Sequence, residues 1–283
     1  MLKKISFFFY KFLYLINFLT EKLFNRNFLL WFKVFIENDH YKNVNVNTKN
    51  IKLFIPNNLV KWRVNTFFDK EPETINWIKN FKLSRFHFWD IGANIGQYSI
   101  YCAITHQGSQ ITSFEPSTNN LRILSRNIAI NKLENQISIF PGALSNKPFS
   151  FLNLSETSFE EGSAHNNYGK NQSTNSQIGA YRTFGLSINY ILEQKILPLP
   201  NFIKIDVDGI EKNILEGGLN FLGEKDLLEV SVEINENEKA KCNEIINIFN
   251  KSGFAIMQKK HNNSFHTLPG SEKTFNYIFK KII

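Results

Sequence analysis

Carboxylates and glycines near the middle of the chain are spaced as the binding of a nucleotide-like ligand requires. The stretch FHFWDIGANIGQYSIY, residues 86–101, places Asp90 at the end of an apolar run, with Gly92 and Gly96 shortly after it. A second apolar run, QITSFEP, ends at Glu115. An apolar run followed by a glycine turn and a helix start predicts a buried strand whose carboxyl end faces a ligand.

The types of these residues favour S-adenosylmethionine over a dinucleotide. The glycine spacing is G-x-x-x-G and not the G-x-G-x-x-G of dinucleotide-binding proteins. The Asp90 carboxylate would repel a pyrophosphate and attract the ammonium group of a methionine moiety. Glu115, at the tip of the second strand, could accept hydrogen bonds from both ribose hydroxyls. Asn94 could bind the same cofactor through its side chain or its backbone. An ordinary α/β turn with a surface glutamate is the simpler alternative.

Three further carboxylates follow a later apolar run and could take part in catalysis. In NFIKIDVDGIEKNILEG, Asp206 ends the run on the cofactor's edge of the sheet, Asp208 lies in the turn and Glu211 opens the next helix. Carboxylates held this close either raise the pKa of one of them, which makes a general base, or hold a cation. For Asp208 and Glu211, helix capping is the alternative. No His or Cys spacing accompanies them, so the sequence supports no metal site.

A strand–helix repeat from Phe86 onward must position these residues. The repeat predicts a parallel sheet covered by helices. The predicted third strand, ISIFPGALS, ends at Ala143 and Leu144, which are placed to line the adenine of the cofactor. FSFLNLS is predicted to be an added edge strand. His165, in a long polar loop over residues 155–180, could reach the acceptor.

The stretch before the repeat carries fewer signals. Residues 38–50 are polar and rich in Asn, which predicts a linker or an exposed hairpin, and IKLFIP at 51–56 predicts a short strand. A helix is predicted to begin near Pro72 and to lead into the first strand of the repeat.

Residues 1–36 are aromatic and apolar and are interrupted by basic residues. The longest apolar run, residues 5–20, is too short to span a membrane and contains Lys11. No small-residue cleavage site follows it, which argues against a signal peptide. Two interpretations stay open. The segment forms helices that lie in a membrane interface, or helices that pack on the domain or on a second subunit of a homo-oligomer.

Composition restricts the partners and the compartment. The chain has 283 residues, 42% of them hydrophobic, and a net charge of +8. No basic block with interleaved aromatics lies outside the N-terminus, so we expect no nucleic-acid partner. Cys102 and Cys242 have no metal-ligand or C-x-x-C neighbour. We therefore expect a reduced, cytoplasmic protein, either free or associated with a membrane surface.

Several motifs together resemble one family. DIGANIGQYS, FEPSTNNLRILSRNIAIN, ALSN, IKIDVDGIEKNILEG and VEI, in this order, resemble the FkbM family of S-adenosylmethionine-dependent methyltransferases. The resemblance implies a Rossmann-like class I methyltransferase fold, α/β, whose seven-stranded, mostly parallel sheet has an antiparallel last strand. It also implies methyl transfer to a hydroxyl of a saccharide or related small molecule. It covers residues 51–283, and residues 1–50 form a helical extension and linker outside it.

One departure from the family pattern opens an alternative function. Where relatives commonly carry Thr-Leu-Asp, this chain has Ser187, Ile188 and Asn189. A non-catalytic, membrane-peripheral binding protein that retains the methyltransferase fold is therefore the competing hypothesis. A nicotinamide-dependent dehydrogenase is disfavoured because G-x-G-x-x-G is missing.

Overall fold

The computed structural model describes residues 1–164, 166–169, 178–260 and 273–282. The catalytic candidate His165 lies outside the described residues. In chain order the elements are α1 (Leu2–Phe24), α2 (Phe28–Asp39), β1 (Tyr41–Val46), β2 (Lys49–Phe54), α3 (Asn58–Asn65), α4 (Pro72–Lys79), β3 (Phe86–Ile91), α5 (Gln97–Thr105), β4 (Ser109–Phe114), α6 (Thr118–Ile130), β5 (Ile137–Phe140), β6 (Ala143–Leu144), β7 (Phe149–Glu156), β8 (Asn167–Tyr168), β9 (Gly179–Leu186), α7 (Ile188–Glu193), β10 (Phe202–Ile205), α8 (Glu211–Glu216), α9 (Leu219–Leu222), β11 (Glu229–Asn235), α10 (Lys239–Lys251), β12 (Phe254–Lys260) and β13 (Thr274–Lys281).

The main sheet contains seven strands within the described residues, in the order β12-β13-β11-β10-β3-β4-β5. Strands β11, β10, β3, β4 and β5 are mutually parallel. Strand β13 runs antiparallel to both of its neighbours, β11 and β12. The predicted α/β fold with an antiparallel last strand is therefore confirmed.

Both faces of the central strands are buried, as their continuous apolar runs predict. Phe88 on β3 packs into a core with Ile100 of α5 and Ile123 of α6 on one face of the sheet. The next residue, Trp89, belongs to the core on the opposite face, together with Ile205 of β10. This alternation follows from the two-residue period of a strand. It leaves the carboxyl ends of the strands as the place where polar residues collect.

A β-hairpin joins the N-terminal helices to the domain. Strands β1 and β2 pair antiparallel, so the Asn-rich stretch forms a hairpin and not a linker. The prediction that this hairpin is exposed is wrong for one of its faces, where Val44 and Val46 are buried. Val46 and Leu53 of this hairpin are fully buried in the same core as Phe88. The division predicted at residue 50 thus falls inside a hairpin that packs on the domain. Helix α4 begins at Pro72, as predicted.

A second sheet of four strands, in the order β6-β9-β7-β8, corrects two expectations about the described residues. ISIFPGALS is not one strand. It divides into β5 in the main sheet and β6 in the second, because Pro141 has no N–H to donate. A Cβ on Gly142 would lie 2.4 Å from the Phe184 ring. FSFLNLS is not an edge strand either, since β7 lies between β9 and β8.

Helices α1 and α2 pack on one another at the N-terminus. The side chain of Asn27 accepts a hydrogen bond from the backbone of Leu30 and caps α2. The Asn17 Oδ1 atom of α1 accepts a second bond, 2.9 Å long, from the Leu29 N–H. Of the helices that the structure describes, none has both the length and the apolar character needed to cross a membrane.

Candidate active site

A cavity of about 920 Å³ opens at the carboxyl ends of the central strands. In an open α/β sheet this is the edge at which ligands bind. Its lining includes residues from strands β3, β4, β6 and β11 and from the loops that follow β3, β4 and β10. The glycine turn contributes Gly92, Ala93 and Asn94, the second strand contributes Phe114 and Glu115, β6 contributes Ala143 and Leu144, and the acidic edge contributes Asp206, Asp208, Glu211 and Glu233. The structure thus brings most of the sequence-predicted site residues to one cavity.

Gly92 allows the ends of β3 and β10 to touch. Its φ is +84°, in the left-handed region that favours glycine. A Cβ at this position would lie 1.9 Å from the backbone oxygen of Asp206. The Asp206 N–H in turn donates to the carbonyl oxygen of Ile91 over 3.0 Å. The glycine therefore sets the distance between the cofactor-binding turn and the acidic edge.

Gly96 has a different role from Gly92. Its φ is +86°, and a Cβ there would lie 2.5 Å from the Leu124 side chain of α6. Gly96 is not among the residues that line the cavity. The structure thus connects this glycine with the close packing of α5 against α6, and its predicted contact with a cofactor stays a prediction.

Glu115 lies at the cavity wall with its carboxylate held by backbone groups. Its side chain is only 5% exposed. The N–H of Asn94 donates to its Oε2 over 2.8 Å, and the N–H of Ser117 donates to its Oε1 over 2.9 Å. Burial raises the pKa of Glu115 to about 7, although these two N–H groups act in the opposite direction. The carboxylate is therefore fixed in orientation at the tip of the second strand.

A short segment, residues 157–164, covers part of the cavity, and we call it the cover segment. Asn94 Nδ2 donates to the Ser163 carbonyl oxygen over 2.9 Å, and Asn120 Nδ2 donates to the same oxygen over 3.2 Å. Arg63 Nε donates to the Gly162 carbonyl oxygen over 2.6 Å. The Asn94 Oδ1 atom is buried and has no hydrogen-bond partner among the residues that the structure describes. A ligand in the cavity could supply the missing donor.

Asp90 lies beneath the glycine turn and does not line the cavity. It is fully buried, and the Ser99 hydroxyl donates to its Oδ2 over 2.6 Å. Burial raises the pKa of Asp90, while the nearby Lys204 opposes that change. Its other carboxylate oxygen is buried and finds no hydrogen-bond partner in the described part of the chain. The predicted contact with an ammonium group stays a prediction.

Lys204 is a buried cation that sequence reasoning missed. It is 2% exposed and lies beside Asp90 in the register of β10 with β3. Its Nζ is 2.7 Å from the Asp206 Oδ2 and 4.6 Å from the centre of the Tyr98 ring. Burial alone would lower the pKa of Lys204. The carboxylates of Asp206 and Glu71 raise the pKa by more than burial lowers it, so the lysine is charged. A lysine inside the apolar run FIKI was the available signal.

A second ion pair, also missed, lies next to it at the start of α4. Lys70 Nζ is 2.7 Å from Glu71 Oε1. Burial alone would raise the pKa of Glu71, but Lys70 and Lys204 hold it at about 2. Lys70 and Tyr98 both line the cavity. This wall therefore carries paired charges of both signs, which local sequence patterns did not indicate.

The carboxylates of the acidic edge differ in their surroundings. Glu211 Oε1 accepts a bond of 2.6 Å from the Gly209 N–H, and its Oε2 is 2.9 Å from Lys241 Nζ. The side chain at the N-cap of α8, Ile210, makes no capping bond, and these contacts tie Glu211 to the preceding turn and to α10 instead. Glu233 on β11 was not predicted as a site residue. Burial, with Asp206 and Glu71 adding to it, raises the pKa of Glu233 well above its ordinary value.

Two further questions from the sequence concern metal ions and Asn189. Among the described residues, no group of three or more His, Cys, Asp or Glu side chains could hold a metal ion. The N–H of Asn189 donates to the Gly217 carbonyl oxygen over 2.7 Å, and its Oδ1 accepts a bond from the Asn220 N–H over 3.2 Å. Asn189 therefore joins α7 to α9, and it does not line the cavity.

The strand order, the antiparallel last strand and the cavity at the carboxyl ends define a class I methyltransferase fold. The sequence profile of the Methyltransferase FkbM domain matches residues 90–256, which is more than half of the chain. The chain belongs to this family. Among proteins with curated descriptions, none matches this sequence significantly.

Solved structures share the fold at low sequence identity. One, from Streptococcus mutans, is described as a candidate S-adenosylmethionine-dependent methyltransferase; it has a TM-score of 0.50 and 10% identity, over 85% of this chain and 55% of that one. Another is the methyltransferase FkbM from Methylobacillus flagellatus, with a TM-score of 0.48 and 14% identity, over 71% of this chain and 45% of that one. This chain thus spans about half the length of these two proteins.

Proposed function

We propose that this protein is an S-adenosylmethionine-dependent methyltransferase that methylates a hydroxyl oxygen of a saccharide or related small molecule. One observation supports this most strongly. The glycine turn and Glu115 share a single cavity with Asp206 and Glu233. Cofactor-binding and proton-accepting groups must line one cavity when a methyl group moves directly from the cofactor to the acceptor.

The described residues fit S-adenosylmethionine on the side of the cavity formed by β3 and β4. The cavity volume of about 920 Å³ lies in the range of small-molecule sites, about 300–1,000 Å³. Gly92, Asn94 and Glu115 would hold the methionine and ribose portions, and Ala143 and Leu144 would line the adenine. The unpartnered Asn94 Oδ1 offers a hydrogen-bond acceptor there. When bound, the cofactor supplies an activated methyl group on a sulfonium.

The chain itself must orient the acceptor and take up its proton. A hydroxyl is a weak nucleophile until a general base removes the proton. The Asp206 carboxylate is our first candidate, because its contact with Lys204 fixes its position at the cavity edge. Glu233, from the neighbouring strand, is the second. Asp208 and His165 stay candidates from the sequence, whereas the contacts of Glu211 with Gly209 and Lys241 favour a structural role.

Part of the cavity lining suits a polar acceptor. It includes Ser158, Asn166 and Asn235 in addition to the carboxylates. Amide, hydroxyl and carboxylate groups can exchange hydrogen bonds with a compound that carries many hydroxyls. This chemistry supports a saccharide acceptor over an apolar one.

The test has a binding stage and a transfer stage. Calorimetric titration with S-adenosylmethionine, S-adenosylhomocysteine and NADH tests the cofactor, and we expect only the two sulfur ligands to bind. Transfer of a labelled methyl group to a panel of mono- and oligosaccharides, with amine-bearing compounds as controls, then tests the acceptor. Binding without transfer to any acceptor supports the non-catalytic alternative. Transfer to amines alone contradicts the saccharide assignment but leaves the methyltransferase assignment standing.

A further inference from the structure

Helix α1 carries an apolar stripe that faces solvent. The stripe follows the spacing of three and four residues that places side chains on one face of a helix. Its members are between 46% and 72% exposed. They are Ile5, Phe8, Phe12, Leu15, Leu19 and Leu23. Large apolar surfaces of this kind mark sites where a membrane or a partner is bound.

A row of lysines follows one edge of the stripe. Lys4, Lys11 and Lys22 each come one residue before a stripe residue, namely Ile5, Phe12 and Leu23. One residue corresponds to a rotation of about 100° in an α-helix, so all three lysines lie on the same side of the stripe. An aliphatic stem with a charged end allows each lysine to accompany buried apolar residues while its ammonium group stays at a polar boundary.

Helices α1 and α2 together form a helical hairpin, and α2 adds further exposed apolar side chains to it. Leu30, Trp31 and Phe35 are all exposed, and Lys33 lies among them. Because Asn17 of α1 accepts a hydrogen bond from the start of α2, the two helices are held as one unit. The apolar, basic surface therefore belongs to the hairpin as a whole, residues 2–39.

Charge decides which occupant fits this surface. Residues 2–39 contain six lysines and arginines and three acidic residues, Glu21, Glu37 and Asp39, of which Glu37 is paired with Arg122 outside the hairpin. Two copies of the chain that met through this surface would bring like charges together, which is unfavourable. A lipid surface with anionic headgroups attracts the same lysines while its hydrocarbon takes up the stripe. We propose that the α1–α2 hairpin docks on an anionic membrane surface, with the stripe buried and the lysines at the headgroups.

Ion pairs connect this hairpin to the cavity. Glu37 at the end of α2 is 3.1 Å from Arg122 of α6, and Arg122 is 2.7 Å from Glu161. Glu161 belongs to the cover segment over the cavity. Docking of the α1–α2 hairpin would therefore bring the cover segment close to the lipid surface. The proposal concerns binding alone and does not depend on methyl transfer.

Vesicle sedimentation of the full-length protein tests the proposal. We expect the protein to sediment with vesicles of phosphatidylcholine and phosphatidylglycerol, and much less with phosphatidylcholine alone. Added salt should weaken the binding because it screens the charges. Replacing Lys4, Lys11 and Lys22 together with Gln should lower the affinity for the mixed vesicles roughly a hundredfold, at about 1 kcal/mol for each basic residue.

The apolar part of the proposal has a matched control. The double variant Phe8→Glu with Phe12→Glu should lose vesicle binding. Phe149→Glu places the same change on a phenylalanine of the second sheet that is equally exposed, at 55% against 58% for Phe12, and should bind as the wild type does. Circular dichroism and sedimentation velocity without lipid report on folding and self-association.

Three results would overturn the proposal. The first is a wild-type protein that sediments with neither kind of vesicle. The second is equal binding to both kinds, which would remove the role of the lysines. The third is a lipid-independent dimer that the stripe variants dissociate, because the stripe would then be an interface between two copies of the chain.

Discussion

Substitution of Gly92 by alanine tests how closely the cofactor turn and the acidic edge are coupled. Gly92 has a φ of +84°, and a Cβ there would lie 1.9 Å from the oxygen and 2.9 Å from the carbon of the Asp206 carbonyl. Both atoms belong to the backbone of a central strand end and cannot rotate away as a flexible side chain could. Gly92→Ala must therefore separate β3 from β10 at the site.

The cost of this change can be worked out from two contributions. A residue with a Cβ in the left-handed region loses about 1–2 kcal/mol. Forcing extra atoms into a closely packed position costs about 1–3 kcal/mol more. We thus expect Gly92→Ala to lower the free energy of unfolding by about 2–5 kcal/mol, a large part of the roughly 5–15 kcal/mol of a typical domain. Because the same displacement moves the glycine turn that would hold the cofactor, the affinity for S-adenosylmethionine should fall as well.

Urea denaturation followed by circular dichroism measures the first effect, and calorimetric titration with S-adenosylmethionine measures the second. Gly223→Ala is the matched control. No atom lies within 4 Å of a Cβ at Gly223, and its φ of −74° suits any residue. This control should unfold within about 0.5 kcal/mol of the wild type. A Gly92→Ala protein with the wild-type urea midpoint and the wild-type affinity would refute the coupling.

Three further substitutions test the acidic edge and the cofactor carboxylate. Asp206→Asn removes the carboxylate that we propose as proton acceptor and that pairs with Lys204. The turnover rate should therefore fall roughly 10²- to 10⁴-fold while the dissociation constant of S-adenosylmethionine changes little. Glu233→Gln should lower the turnover rate in the same assay if Glu233 shares the role of proton acceptor. The pKa of Glu115 rises from 4.5 to about 7 on folding. Its contribution to the free energy of unfolding is therefore fully present below about pH 4.5 and is lost as the pH rises through 7. That loss amounts to about 3 kcal/mol. Urea denaturation at about pH 5 and about pH 8 should show this difference in the wild type, and Glu115→Gln should abolish it.

Each of these expectations has an opposite outcome. A wild-type turnover rate in Asp206→Asn would exclude this residue as the base, and the same result in Glu233→Gln would exclude Glu233. If both variants transfer methyl groups at the normal rate, the proton acceptor lies elsewhere, with Asp208 the next to substitute. An identical pH dependence of unfolding in the wild type and Glu115→Gln would show that Glu115 does not retain its proton on folding.

The central part of the fold could be predicted from the sequence because its signals are local. The apolar run Phe86–Ile91 and the glycines that follow it specify a buried strand and a turn within a few residues. Repetition of that pattern predicted the parallel sheet, and the structure confirms it. The matching profile of the FkbM domain confirms the family that the same motifs indicated.

The second sheet could not be predicted in this way. Pro141 ends β5 locally, but the pairing of β6 with β9, which brings Phe184 against Gly142, forms only when the chain has folded. Strand β7 acquires its interior position from β9, and not from its own alternating pattern. A pattern of apolar residues reports which face of a strand is buried, but it does not name the partner strands.

The sequence by itself determined the strand–turn–helix unit at Gly92, the carboxylates at the strand ends and the basic, apolar character of the first helices, because each depends on neighbouring residues. Only the tertiary structure decided how the charges are paired. It directs Asp90 to Ser99 beneath the turn, and it buries Lys204 between Asp206 and Tyr98. Lys204 meets Tyr98 and lies beside Asp90 only because β10 pairs with β3, which is far from it in the chain. Burial in a low-dielectric interior makes such contacts decisive for the charge that each group carries.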